Sequence, residues 1–454
     1  MTLYPDQQAD FQRLRAAYLE HRHVLFVAPT GYGKTVMACA ITAGAAEKQT
    51  RTCFIVHRKE LIAQTTRAFT LCGIPHGIIS PDYPATRAPI QIASVFTLAR
   101  RKGHEFDLLI WDECHHRVAN AWSTVAAKFA DARSLGLTAT PARLDGRGLG
   151  DSFEHMVLTA PMRQLISMNR LSPYDYWAPE VADLSGLWSR GGADYSQEAL
   201  ERAMADRRIT GNVIGHYRRI CDGAPFLCQC VSVAHAQQVA EDFRAAGYPV
   251  AALWGAMDPV ERTRTVAELG GRLVGLTFVD LISEGFDVPG VTCIISLRKT
   301  KSLTLYLQVM GRGLRYVPGK RAQLIDCVGN TVLHAVPDTP RDWVLEKDRG
   351  VRTDPDDPDT PAIRRCERCY AVHEWAPVCP YCGHVYEVAV QKPPVVKRGE
   401  LIRLTEEQIK ELEAHAKRTG RLADWHEVAK QRGHKPGWAY HQARRAHSVM
   451  RRAR

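Results

Sequence analysis

Apolar and polar positions along the first third of this 454-residue chain alternate in blocks. Short, nearly unbroken apolar runs at residues 23–28, 52–56, 89–95, 108–111 and 134–137 are separated by longer stretches compatible with helix, including residues 36–46. Strands covered on both faces read as continuous apolar runs, and such β-α alternation predicts a parallel sheet between two layers of helices. The pattern lapses over residues 161–208, whose mixed composition reads as a connector with some helix near 197–205. It resumes with apolar runs at 226–233, 250–254, 274–278, 291–297 and 322–328 and a helix over 234–246. The prediction is an α/β protein with two tandem parallel-sheet lobes, residues 1–160 and 209–350, joined by that connector.

Beyond the second lobe the pattern changes again. Asp354-Pro355-Asp356-Asp357-Pro358-Asp359 combines missing backbone donors with like-charge repulsion, so residues 351–362 read as a linker. A cysteine-bearing module follows at 363–390, and Lys392-Pro393-Pro394 opens a basic helical tail over 391–454. The net charge of +11 is concentrated there: residues 397–454 hold fifteen Lys and Arg against seven Asp and Glu. That tail is the expected seat of attraction to a polyanion. No apolar run approaches membrane-spanning length, and the N-terminus lacks a basic segment followed by an apolar one, so a cytoplasmic, membrane-free protein is expected. An odd total of thirteen cysteines points to free thiols plus a metal site rather than a disulfide framework.

Three segments carry the candidate chemistry. Ala28-Pro29-Thr30-Gly31-Tyr32-Gly33-Lys34-Thr35 lies between an apolar strand and a helix-compatible run, the context of a phosphate-binding loop, with Ala28 at the position of the usual first glycine. Thr30, Gly31 and Gly33 would offer backbone N–H groups, Lys34 would meet the β and γ phosphates, and Thr35 would hold Mg²⁺. Asp112-Glu113-Cys114-His115 follows an apolar strand; Asp112 would orient the hydrated Mg²⁺ and Glu113 the attacking water. Gln308-Val309-Met310-Gly311-Arg312-Gly313-Leu314-Arg315 places two arginines three apart, on one face if helical, with Gln308 a turn earlier to sense phosphate or water. Together the segments describe an ATP- and Mg²⁺-dependent phosphohydrolase divided between two lobes.

With these residues in place, the chain from about residue 3 to 326 resembles the superfamily 2 helicases of the DEAD/DEAH-box kind, built of two RecA-like P-loop domains. Residues 56–64 and 92–97 are similar to the family's strand-tracking motifs, and Thr138-Ala139-Thr140 to the motif that couples hydrolysis to nucleic-acid grip. Ser283-Glu284-Gly285-Phe286-Asp287-Val288-Pro289 is similar to the second-lobe motif touching strand and nucleotide, which places Asp287 in the site. The resemblance also implies that Gln7 reads adenine and that Arg312 and Arg315 act as fingers when the lobes close. With its cysteine module, the chain looks most like bacterial and phage RadD-type DNA-repair helicases. It implies a motor on DNA, with RNA as the alternative strand and a restriction-complex motor as another setting. A binding scaffold with a degenerate nucleotide site is the non-enzymatic alternative.

Cys366, Cys369, Cys379 and Cys382 form two Cys-x-x-Cys pairs, the spacing of a closed Zn²⁺ site of zinc-ribbon type, with redox pairs or an iron–sulfur site as alternatives. Cys39, Cys53, Cys72 and Cys114 are widely spaced and read as packing residues. In the tail, Trp438 and Tyr440 stand among Lys435, Arg444 and Arg445. Those aromatics either stack on unpaired bases or, with Trp425, build the core of a small helical unit.

Overall fold

The strand Thr52-Cys53-Phe54-Ile55-Val56 is buried at every position, as its unbroken apolar run requires of a strand with helices on both faces. The computed structural model describes residues 2–84, 86–115, 119–143, 145–179, 194–204, 207–279, 290–346, 351–352, 362–387, 405–419 and 421–452. Around that strand the first lobe assembles β1 (His23–Val27), β2 (Thr52–Val56), β3 (Gly77–Ile79), β4 (Ile90–Ser94), β5 (Leu108–Asp112), β6 (Arg133–Thr138) and β7 (His155–Leu158). Their order is β3-β4-β2-β5-β6-β1-β7, with every pairing parallel. Parallel pairing brings the segments after β1, β5 and β6 to one edge, where ligands gather in open α/β sheets.

One face of the sheet packs Phe26, Phe54 and Ile110 against helices Lys34–Glu47 and Lys59–Leu71. The other buries Trp111, which stacks on Trp122 at 4.1 Å between ring centroids. Truncating Phe54 or Trp111 to Ala would cost about 3–5 kcal/mol.

The second sheet contains β8 (Tyr174–Trp177), β9 (Phe226–Gln229), β10 (Val250–Leu253), β11 (Gly275–Phe278), β12 (Cys293–Ser296) and β13 (Ala322–Asp326). A small ribbon, β14 (Asp342–Trp343) with β15 (Val351–Arg352), follows, then β16 (Ile363–Arg365) and β17 (Ala371–Glu374). The order is β10-β11-β9-β12-β13-β8-β17-β16, parallel through β8 and antiparallel beyond it. Two differences from the sequence pattern stand out. Within the stretch read as a connector, Tyr174-Asp175-Tyr176-Trp177 forms β8 beside β13. Its polar Asp175 accepts from Arg321 Nε at 2.8 Å and Tyr381 Oη at 2.9 Å, which lets a charged side chain sit in a sheet strand. The cysteine module is joined to the same sheet, because β17 pairs with β8. Of the expected linker 351–362, residues 353–361 lie outside the described residues.

Helix Leu303–Gly313 starts on Ser302, whose hydroxyl accepts from Leu305 N–H, and is buried from Thr304 through Gly313. Burial on all sides follows from its place between the second sheet and the first lobe. A methyl on Gly313 would lie 2.8 Å from Ile294 Cγ1, and one on Gly311 would lie 2.7 Å from Thr30 Cβ.

Residues 387–454 are a separate compact unit. Its helices Glu406–Thr419, Leu422–Arg432 and Pro436–Arg452 enclose a small core of Ala416, Trp425, Val428, Ala429, Ala439 and Ala443.

Candidate active site

The loop after β1 depends on two left-handed glycines, Gly31 at φ +96° and Gly33 at φ +101°. Gly33 caps helix Lys34–Glu47, so the free N–H groups of the first turn and the positive end of the helix dipole face the loop. A Cβ on Gly33 would meet Gln7 Nε2 at 3.0 Å, and one on Gly31 would lie 3.5 Å from Arg315 Cα. Both glycines therefore serve approach as well as conformation. Lys34 Nζ lies 3.3 Å from Ala28 O and 3.7 Å from Glu113 Oε1, bridging loop and carboxylate. Thr35, the helix's second residue, is half-buried beside it. Gln7 donates to Tyr32 O at 2.9 Å and accepts from Tyr4 N at 3.1 Å, while Tyr32 Oη donates to Asp10 Oδ2 at 2.7 Å. The first helix thus clamps the loop from outside.

Asp112 ends β5, and Glu113 follows with φ +46°. A left-handed glutamate costs on the order of 1–3 kcal/mol and persists only where its surroundings hold it. Here Glu113 Oε1 faces Lys34, and Oε2 lies 3.4 Å from His115 Nδ1. Burial, then the adjacent Glu113 charge, push Asp112 up to about 7 against the pull of Lys34. A carboxylate so reluctant to ionise alone fits a site that takes a divalent cation.

Beside this pair, a hydrogen-bonded path starts at His115 and crosses to the second lobe. His115 Nε2 meets Gln308 Nε2 at 2.8 Å, and His115 Nδ1 meets Thr138 Oγ1 at 2.8 Å. An amide nitrogen only donates, so His115 accepts at Nε2 and carries its proton on Nδ1. Thr138 Oγ1 donates onward to Thr140 O at 2.7 Å. Thr140 Oγ1 donates to Thr304 Oγ1 at 3.0 Å, and Thr304 Oγ1 to Ala142 O at 3.1 Å. Gln308, read from sequence as a phosphate or water sensor, thus binds the histidine of the carboxylate segment. The histidine–glutamine and threonine–threonine contacts had no signal in sequence, because both are made across lobes.

The arginine pair differs from the helical expectation. Helix Leu303–Gly313 ends before Arg315, with Leu314 as its cap, so only Arg312 is helical. Arg315 instead forms a β-bridge with Leu171, and Ser172 Oγ donates to its carbonyl at 2.9 Å. Gly313, where a Cβ would meet Ile294, is the last helical residue, and Arg315 reaches the Gly31 turn through the strand-like bridge beyond it. Asp287 lies outside the described residues. Arg170, unmarked in sequence, ties the connector to the first helix: its Nε donates to Asp6 Oδ1 at 2.7 Å and its guanidinium lies 3.7 Å from the Tyr4 ring.

Cys366, Cys369, Cys379 and Cys382 converge with all four Sγ within 4.8 Å of one another, and two of the separations are 3.6 and 3.7 Å. Bonds of about 2.3 Å in a tetrahedron put sulfurs roughly 3.8 Å apart, so the thiols fit a closed zinc-type site. Each pair turns on a left-handed residue, Tyr370 at φ +69° and Gly383 at φ +70°. Burial raises the Cys366 thiol, but the N–H groups of Cys369 and Arg368 outweigh it and hold it at about 6. Among the described residues no other group of three or more His, Cys, Asp and Glu is placed to share an ion.

Two family models match the lobes: "Type III restriction enzyme, res subunit" over residues 1–143 and "Helicase conserved C-terminal domain" over residues 219–317. The chain belongs to the superfamily 2 helicases, enzymes that hydrolyse ATP. It is 33% identical over 389 residues to a 51.5 kDa protein of a Lactococcus phage, covering 84% of this chain and 82% of that one. Over 134 residues it is 35% identical to the DNA 3'-5' translocase XPB2 of Sulfurisphaera tokodaii, covering 29% of this helicase and 30% of that protein. Among solved structures, the ATP-dependent Type ISP restriction-modification enzyme LlaBIII bound to DNA superposes with a TM-score of 0.55 at 16% identity, covering 72% of this chain and 28% of that one. The helicase therefore spans most of the phage protein but under a third of the other two. Among its described residues no helix is long and apolar enough to cross a membrane.

Proposed function

We propose that this helicase is an ATP- and Mg²⁺-dependent DNA translocase of repair, recombination or replication, of the RadD type. Lys34 and the N–H groups of the Thr30–Gly33 turn would hold the phosphates, with Gln7 on the adenine side. Thr35 and Asp112 would hold Mg²⁺, whose charge would neutralise phosphate oxygens. Glu113 would orient the attacking water, and Arg312 and Arg315 would stabilise charge that develops on the transferred phosphoryl group. Cys366, Cys369, Cys379 and Cys382 would hold a structural Zn²⁺ as a zinc ribbon.

The observation that carries this reading is the approach of Glu113 to within 3.4 Å of His115, from which hydrogen bonds run to Gln308 in the second lobe and, through Thr138 and Thr140, to Thr304. A carboxylate that positions water is thereby mechanically tied to the opposite lobe. Closing and opening the cleft can then be linked to hydrolysis, which is what stepping along a strand requires. The XPB2 name supports DNA as the strand. ATPase assays with matched single-stranded, forked and duplex DNA and RNA test it: stimulation by DNA supports the reading, and no stimulation by any nucleic acid sinks it.

A second setting, the motor subunit of a restriction complex, is favoured by the description of the family model over residues 1–143. Co-purification of a nuclease or methyltransferase subunit would select it.

A further inference from the structure

The tail unit was read from sequence either as aromatics that stack on bases or as a packed helical core. Trp425 is buried and meets Trp438 edge-on at 5.9 Å, and His434 stacks on Trp438 at 4.3 Å. Trp425 and the half-buried Trp438 therefore pack the unit's core, which leaves its exposed side chains as the surface for a contact with nucleic acid.

Helix Leu422–Arg432 ends on Gly433 at φ +68°, with His434 N–H donating to Ala429 O at 2.8 Å. Three residues, Gly433-His434-Lys435, separate it from helix Pro436–Arg452, while helix Glu406–Thr419 packs behind. Two helices joined by a short glycine turn form the helix-turn-helix plan, whose second helix enters a DNA major groove. Ala439 and Ala443 face the core, and Gly437, Tyr440, His441, Arg444 and Arg445 are exposed at three- and four-residue intervals. That spacing gathers them on the outer side.

Charge is sorted the same way. From Val428 to Arg454 the chain has eight Lys and Arg and no Asp or Glu. The acidic residues lie earlier, and two of them, Glu406 and Glu413, are bound by Arg432. The outer side of the last helix is therefore cationic, and its own unit answers it with no acid in that helix.

We propose that residues 405–452 dock on duplex DNA with helix Pro436–Arg452 in the major groove. Lys435 and Arg444 contact phosphates, and Tyr440 and His441 face base edges. A helix of about 10–12 Å diameter fits a B-form major groove roughly 12 Å wide, whereas the A-form groove of duplex RNA excludes side chains. The unit is then a duplex anchor for a motor that tracks a strand elsewhere, an inference that rests on DNA being the substrate.

The test compares two full-length variants with equal change in charge: Arg444→Glu on the outer side and Lys410→Glu on the exposed side of helix Glu406–Thr419. Binding to a DNA duplex of about 30 bp should weaken about tenfold for Arg444→Glu, with a salt slope smaller by roughly one to two. Lys410→Glu should stay within about twofold, and both variants should keep single-stranded DNA and duplex RNA affinity and DNA-stimulated ATPase. Equal losses from both variants, no loss from Arg444→Glu, or an equal loss on single strands overturns the anchor. If circular dichroism shows that Arg444→Glu loses helix, Tyr440→Ala is read by the same criteria. Wild-type ATPase that answers only to RNA would instead overturn the DNA reading itself.

Discussion

Glu113 shows at a single residue how the site's demands exceed local preference. Its left-handed backbone puts one carboxylate oxygen toward Lys34 and the other toward His115. Glu113→Gln keeps size and backbone but removes the charge proposed to orient water, so kcat should fall by about 10² or more with ATP binding retained. Lys34→Ala should abolish turnover and leave DNA affinity in place, as measured by steady-state ATPase and fluorescence anisotropy. Gly311 makes a subtler prediction. A methyl there would stand 2.7 Å from Thr30 Cβ, so Gly311→Ala should hold the lobes apart and lower kcat about tenfold while the melting temperature changes little. Unaltered turnover would show that closure does not need this contact. The placement of Lys34 near Glu113 and of Asp112 at the end of β5 was legible because each follows from neighbours in sequence. The parts played by His115, Gln308 and Thr304 were not, since each partner lies more than 150 residues away or in the opposite lobe.

At the scale of elements, the continuous apolar runs announced β1, β2, β4, β5, β9, β12 and β13, where burial on both faces leaves little room for polar residues. β8 escaped because Asp175 and two tyrosines disguise a sheet strand, and their partners Arg321 and Tyr381 come from distant segments. The same pairing makes the cysteine module part of the second sheet. Its thiols should therefore bind one Zn²⁺ per chain, and a chelator or Cys379→Ser should lower the melting temperature of the body that contains both lobes. Zinc quantification with calorimetry checks this; full chelation with unchanged melting would contradict a structural role. Helix Leu303–Gly313 teaches the complementary lesson: spacing placed both arginines on one helical face, yet the helix ends at Gly313 between them and Arg315 bridges to Leu171 instead.

For the two lobes together, the central claim is that hydrolysis requires the second lobe to complete a site built on the first. Arg315 already lies against the Gly31 turn, and Arg312 sits one residue beyond the Gly311 contact with Thr30. The most direct measurement is single-stranded-DNA-stimulated ATPase of the wild type, Arg312→Ala and Arg315→Ala at saturating nucleotide. The account predicts stimulation in the wild type and a fall in kcat of about 10³-fold in each variant, with nucleotide and DNA binding preserved. Variants that hydrolyse ATP at the wild-type rate would contradict it.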